Sequence, residues 1–192
     1  PLSEIAAQPK YIVAVMSAAI SYGVMNFLMT STPIAMGICG HPYDDAAFVI
    51  SSHVVAMFAP SFFTGGLIKR LGTIPVMLAG AALNAVCIGI ALSGVTVANF
   101  WWALVLLGVG WNFLYIGATT LLTETYRPEE RAKAQGINEF AIFAMMVLSS
   151  FSSGMIVTNA GWDKVNYAAV PLVLAVIVAL VFLGLRQRMA RA

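Results

Sequence analysis

The sequence predicts an all-α, polytopic membrane protein with six transmembrane helices, and three observations predict it. Of 192 residues, 60% are apolar and only 9% charged, against about 25% charged in a water-soluble domain, so the solvent of this chain is lipid. The apolar residues fall into six runs close to the roughly 20 residues that a spanning helix needs. The basic residues sit at the ends of those runs and not in one stripe. With a net charge of only +2, that distribution excludes a nucleic-acid partner.

The elements follow in order. Residues 1–10 are polar and read as the remnant of a cytoplasmic linker, without the pattern of a signal peptide. A chain that opens on proline is expected to be trimmed, processed or cut from something longer. The first span is predicted near 11–36, ahead of the turn Cys39-Gly40-His41-Pro42. The second runs near 44–67, from Asp44 and Asp45 to the basic pair Lys69 and Arg70, with Pro60 expected to kink it. The third and fourth occupy 74–93 and 99–122, and the basic loop with Arg127, Arg131 and Lys133 follows. The fifth lies near 134–158 and the sixth near 167–185, with Asp163 and Lys164 between them. A basic cytoplasmic tail, 186–192, closes the chain with Arg186, Arg188 and Arg191.

With the N-terminus inside, nine Lys and Arg fall on the cytoplasmic side and Lys164 alone outside. Positive-inside asymmetry of that size predicts both termini in the cytoplasm. Sliding the chain by 86 residues lays Asn26-Phe27-Leu28 on Asn112-Phe113-Leu114, in spans of opposite direction. That echo predicts a 3+3 inverted repeat.

Polar groups inside a membrane are costly and mark candidate sites. His53 lies about 13 Å from the outer end of the second span, and Met57 follows one turn later on the same face. Met29 and Met25 repeat the spacing on the first span, at about 10 and 16 Å. Thioether and imidazole suit Cu(I), and no carboxylate lies beside them to favour harder metals. The competing readings are apolar packing by methionine and an organic solute hydrogen-bonded by His53 in a methionine-lined pocket. Cys39 and His41 sit at the outer mouth, where they either pass a soft cation inward or simply form the turn. Asn26, Asn112, Trp111 and Tyr115 either line a cavity or join helices. Glu139, beside Gln135 and Asn138, is a proton-coupling candidate or a helix-end carboxylate. No Ser/His/Asp set or HExxH appears, so catalysis is not expected.

Three motifs carry a family resemblance. Gly65-Gly66-Leu67-Ile68-Lys69-Arg70-Leu71-Gly72 resembles the G-x-x-x-D-R/K-x-G loop, and Arg127-Pro128-Glu129-Glu130-Arg131-Ala132-Lys133-Ala134-Gln135-Gly136 the P-x-x-R-x-x-A-x-G loop, of the major facilitator superfamily. The departure is Lys69 where the first motif has Asp. Met-x-x-x-Met followed by His-x-x-x-Met resembles the CcoA-type copper importers of that superfamily. The resemblance implies the C-terminal six-helix half of a carrier in the bacterial cytoplasmic (inner) membrane. It further implies Cu(I) import for assembly of a cbb3-type oxidase by alternating access, with Met25, Met29, His53 and Met57 as ligands. Copper would be the transported substrate and there would be no other cofactor. The implied partners are the lipid bilayer and the missing N-terminal half, in the same polypeptide or another. Related carriers of riboflavin and other organic solutes share the fold, so an organic cargo is the alternative, with a non-transporting membrane scaffold or assembly factor behind it.

Overall fold

The computed structural model describes residues 2–190. Pro1, Arg191 and Ala192, the outermost residues of the expected linker and tail, lie outside the described residues. The order is α1 (Leu2–Ala6), α2 (Pro9–Ile38), α3 (Tyr43–Phe58), α4 (Ser61–Leu71), α5 (Thr73–Leu92), α6 (Val97–Thr123), a 3-10 turn at Pro128–Glu130, α7 (Arg131–Ala160) and α8 (Trp162–Met189). Five helices are long and apolar enough to cross a membrane, and α3 with α4 makes a sixth span bent by 43°. Six spans are thus the all-α fold that the apolar runs predict.

The differences from the predicted bounds have local causes. The second span is two helices because Pro60 has no N–H to give the ladder, and the Thr64 hydroxyl bonds the Pro60 carbonyl at 2.8 Å on the far side of the break. α8 begins at Trp162 and runs to Met189, beyond the predicted 167–185. Backbone hydrogen bonding continues into the polar interface whatever the side chains are. Arg186 and Arg188 therefore sit in a last helical turn, where cations oppose the negative end of the helix dipole. Lys10 was expected only as a topology anchor, yet it pairs with Glu124 of the α6 C-cap.

The inverted repeat is written in the geometry. Asn26 of α2 donates to the Met146 carbonyl (3.2 Å) and to Ser150 Oγ (2.8 Å) of α7. Asn112 of α6 donates to the Met57 carbonyl and to Ser61 Oγ, both at 2.7 Å, spanning the α3–α4 break. Each asparagine clamps a Met carbonyl and the Ser four residues on. Gly72 and Gly161 then start α5 and α8 with φ of 91° and 86° and extended ψ, a combination essentially reserved for glycine. The pairs 57/146, 61/150 and 72/161 share an offset of 89, not 86, because the connection into α7 is three residues longer than the one into α3. His53 consequently matches Ile142 rather than Glu139.

Packing is layered. One apolar core holds Leu28, Met36, Val49, Phe100, Leu104 and Trp162. A second holds Tyr11, Met77, Leu114, Leu121, Ile142 and Leu180. α5 crosses α6 at Gly80, where a Cβ would lie 2.7 Å from the Gly110 carbonyl oxygen, so only glycine admits this approach. A small third cluster sits on α2, α3 and α6 and shares Tyr22 and Tyr115 with the second core.

Candidate functional site

That third cluster consists of buried Met25, Met57 and Trp111, edged by Tyr22, Met29 and Tyr115. α2 presents Tyr22, Met25 and Met29 at spacings of three and four, which places them on one face. α6 presents Trp111 and Tyr115 in the same way, and the two rings stack at 5.1 Å with 8° between planes. Tyr22 stands edge-on to both at 5.2 Å, and Phe58 is edge-on to Trp111 at 6.1 Å. Offset and edge-to-face pairs of this kind are the favoured aromatic geometries. The Trp111 indole N–H is buried and has no hydrogen-bond partner.

The asparagines build the wall. Asn112 is almost fully buried. Its two N–H groups hold Met57 and Ser61, and its oxygen accepts from Thr64 Oγ1 at 2.7 Å. Both of its N–H hydrogens are thus satisfied inside the bundle, and its oxygen shares the Thr64 hydroxyl proton with the Pro60 carbonyl. Asn26 faces α7 and bonds Ser149 as well as Ser150. Both asparagines join helices, which is one of the two roles their positions allow.

The four residues singled out as soft ligands divide. Met25, Met29 and Met57 come together. His53 is completely buried between α3 and α6, and its Nδ1–H donates to the Leu104 carbonyl at 2.7 Å. A carbonyl only accepts, so the proton sits on Nδ1, which leaves Nε2 unpaired and buried. Gly108 makes this contact possible: a Cβ there would lie 2.8 Å from the His53 carbonyl oxygen and 3.0 Å from the Met57 nitrogen. Among the described residues no group of three or more His, Cys, Asp or Glu converges, so any metal site here depends on thioether sulfur.

In the turn after α2, Cys39 is exposed at the C-cap. The His41 Nε2–H donates to the Val95 carbonyl at 2.7 Å, and the ring meets Phe100 edge-on. This histidine ties the α2–α3 turn to the α5–α6 turn. Glu139 is exposed on α7, and the neighbouring Asn138 side chain donates to its Oε1 at 3.4 Å. Sequence reasoning missed Tyr22, Phe58, Ser61 and Thr64. The spacing Tyr22-x-x-Met25-x-x-x-Met29 was the available signal for the first. The others depend on the bend at Pro60.

A family profile and several relatives resemble the chain. The Major Facilitator Superfamily profile matches residues 14–191. The riboflavin transporter RfnT of Brucella anthropi is 46% identical over 181 residues, covering 94% of this chain and 46% of that protein. Two uncharacterized MFS-type transporters of Bacillus subtilis follow. YddS is 33% identical over 80% of this chain and 36% of its own length, and YdeG is 35% identical over 72% and 33%. The chain spans less than half the length of each of these relatives. None of the three is named for copper.

Proposed function

The chain belongs to the Major Facilitator Superfamily, and from that premise we propose that the carrier it forms part of moves a flat aromatic solute of the riboflavin type across the cytoplasmic membrane. Both termini of this six-helix half face the cytoplasm in this reading, and an opposing six-helix half closes over the aromatic cluster. Transport proceeds by rocking of the halves about the site, and no chemical conversion of the cargo is involved.

The observation that carries the reading is 46% identity to a riboflavin transporter over nearly the whole chain. The site supplies a physical basis for it. Trp111, Tyr115 and Tyr22 offer an aromatic wall to a fused ring. The unpaired Trp111 N–H is a donor for a ring carbonyl once the indole turns, and the sulfur atoms of Met25 and Met57 make adaptable apolar contacts. The test is uptake of labelled riboflavin by a strain that cannot synthesise it. Trp111→Ala is expected to lower uptake efficiency about tenfold, the worth of roughly one aromatic stacking contact, while Trp111→Phe keeps most of it. Equal uptake by wild type and Trp111→Ala would remove the aromatic site.

One observation favours a second reading, Cu(I) as cargo: three methionines converge, and one turn before Met57 the same helix carries a histidine whose Nε2 is unpaired. In that case copper accumulation falls on Met25→Leu, Met29→Leu, Met57→Leu and His53→Phe and is indifferent to Trp111→Ala. Riboflavin uptake instead falls on Trp111→Ala and survives His53→Phe.

A further inference from the structure

A cavity of about 520 Å³ opens where α4, α6 and α8 end and α5 begins, sharing no residue with the aromatic cluster. It falls within the roughly 300–1,000 Å³ of ligand clefts. Its inner wall is apolar: Ile74 and Leu78 of α5, Leu121 of α6, Leu180 and Val181 of α8. Its rim is polar, with Thr73, Glu124, Gln187 and Arg188. From Arg188 to Leu180 the wall climbs α8 by about 12 Å, so the charged mouth and the apolar shaft lie along the membrane normal. The Glu124 carboxylate is already matched by Lys10, which leaves Arg188 as the uncompensated charge lining the cavity among the described residues. The last turns of α4 and α8, which reach the cavity at Leu71 and Arg188, also carry Lys69, Arg70 and Arg186.

We propose that this cavity holds an anionic phospholipid, its headgroup at Arg188 and one acyl chain along the apolar wall of α5 and α8. A soluble anion would gain nothing from the apolar shaft, and a neutral apolar molecule nothing from the Arg188 cation at its mouth. An anionic amphiphile uses both, and basic pockets between spans at a membrane face bind such headgroups. The lipid spans α8 and the Gly72 turn, so it couples the end of α8 to the start of α5.

The structure supplies a clean perturbation. Gly184 lines the cavity, and a Cβ built on it meets only Ile74 Cγ2, at 3.6 Å. A large side chain there grows into the space the lipid would fill. The full-length protein is purified in detergent and its bound lipid counted by native mass spectrometry after adding phosphatidylglycerol or phosphatidylcholine. Wild type is expected to retain one phosphatidylglycerol in preference to phosphatidylcholine by about fivefold, the discrimination one basic side chain gives at a membrane surface. Gly184→Phe loses the bound lipid while its melting temperature without lipid stays near wild type. Arg188→Gln loses the preference and Arg188→Lys keeps it, a comparison that stands even if Gly184→Phe does not fold. Undiminished, selective retention in Arg188→Gln overturns the proposal, as does displacement of the lipid from wild type by inorganic phosphate alone.

Discussion

Replacing Asn112 by leucine removes the clamp that bridges the break in the second span. Two N–H bonds go, to the Met57 carbonyl and Ser61 Oγ, each at 2.7 Å, and with them the share of the single Thr64 hydroxyl proton that Asn112 Oδ1 accepts at 2.7 Å. The residue is 1% exposed, so water does not replace them. Hydrogen bonds between membrane helices average about 0.6 kcal/mol, and two of them with the shared third come to about 1.5 kcal/mol, roughly tenfold in the unfolding equilibrium. Thr64 keeps its bond to the Pro60 carbonyl, which limits further loss. Asn26→Leu is the matched control. Asn26 Nδ2 faces three acceptors but has only two hydrogens, and Ser149 retains the Met146 carbonyl, so its loss is nearer 1 kcal/mol. The assay is reversible unfolding of the purified protein in mixed micelles of increasing dodecyl sulfate content. If Asn112→Leu unfolds within about 0.5 kcal/mol of wild type, or if Asn26→Leu is the more damaging change, the clamp account is refuted.

Other outcomes follow from single contacts. Gly108→Leu drives a side chain against the His53 and Met57 backbone and should cost about 1–3 kcal/mol; an unshifted unfolding midpoint would mean that α3 and α6 are not this close. Gly72→Ala and Gly161→Ala place a Cβ at φ of 91° and 86° and should each cost about 1–3 kcal/mol, with near-equal values because the two turns are related by the repeat. Very unequal costs would argue against that relation. Glu139→Gln keeps shape but removes the exposed carboxylate of α7. Uphill accumulation of the cargo should stop while exchange across the membrane persists, and uphill accumulation that survives the change denies Glu139 a coupling role.

The outer turn shows how far residue type alone reaches. Cys39 and His41 have the chemistry of a cation relay, yet the His41 ring nitrogen is bonded to the Val95 carbonyl, a partner 54 residues away that no local pattern discloses. His53 is similar. Its depth was readable from the span, but its direction toward Leu104 of α6 follows from a glycine on another helix. Tyr22 was in principle readable from its spacing to Met25 and Met29. Ser61 and Thr64 were not, because their role depends on a bend of 43°.

By itself, the order of residues determined the lipid solvent, the six spans and the presence of an inverted repeat, since apolar run length, scarcity of charge and a repeated Asn-Phe-Leu are properties of the chain before it packs. Which polar groups meet was decided by tertiary structure. Asn26 and Asn112 are nearly identical in local sequence, but one faces three donor-hungry acceptors on α7 and the other a broken span with a hydroxyl to accept. In a membrane a buried polar group takes whatever partner the facing helix supplies, because there is no water to take its place. The facing helix is set by close crossings such as Gly80 on Gly110 and Gly108 on His53, contacts between segments far apart in sequence.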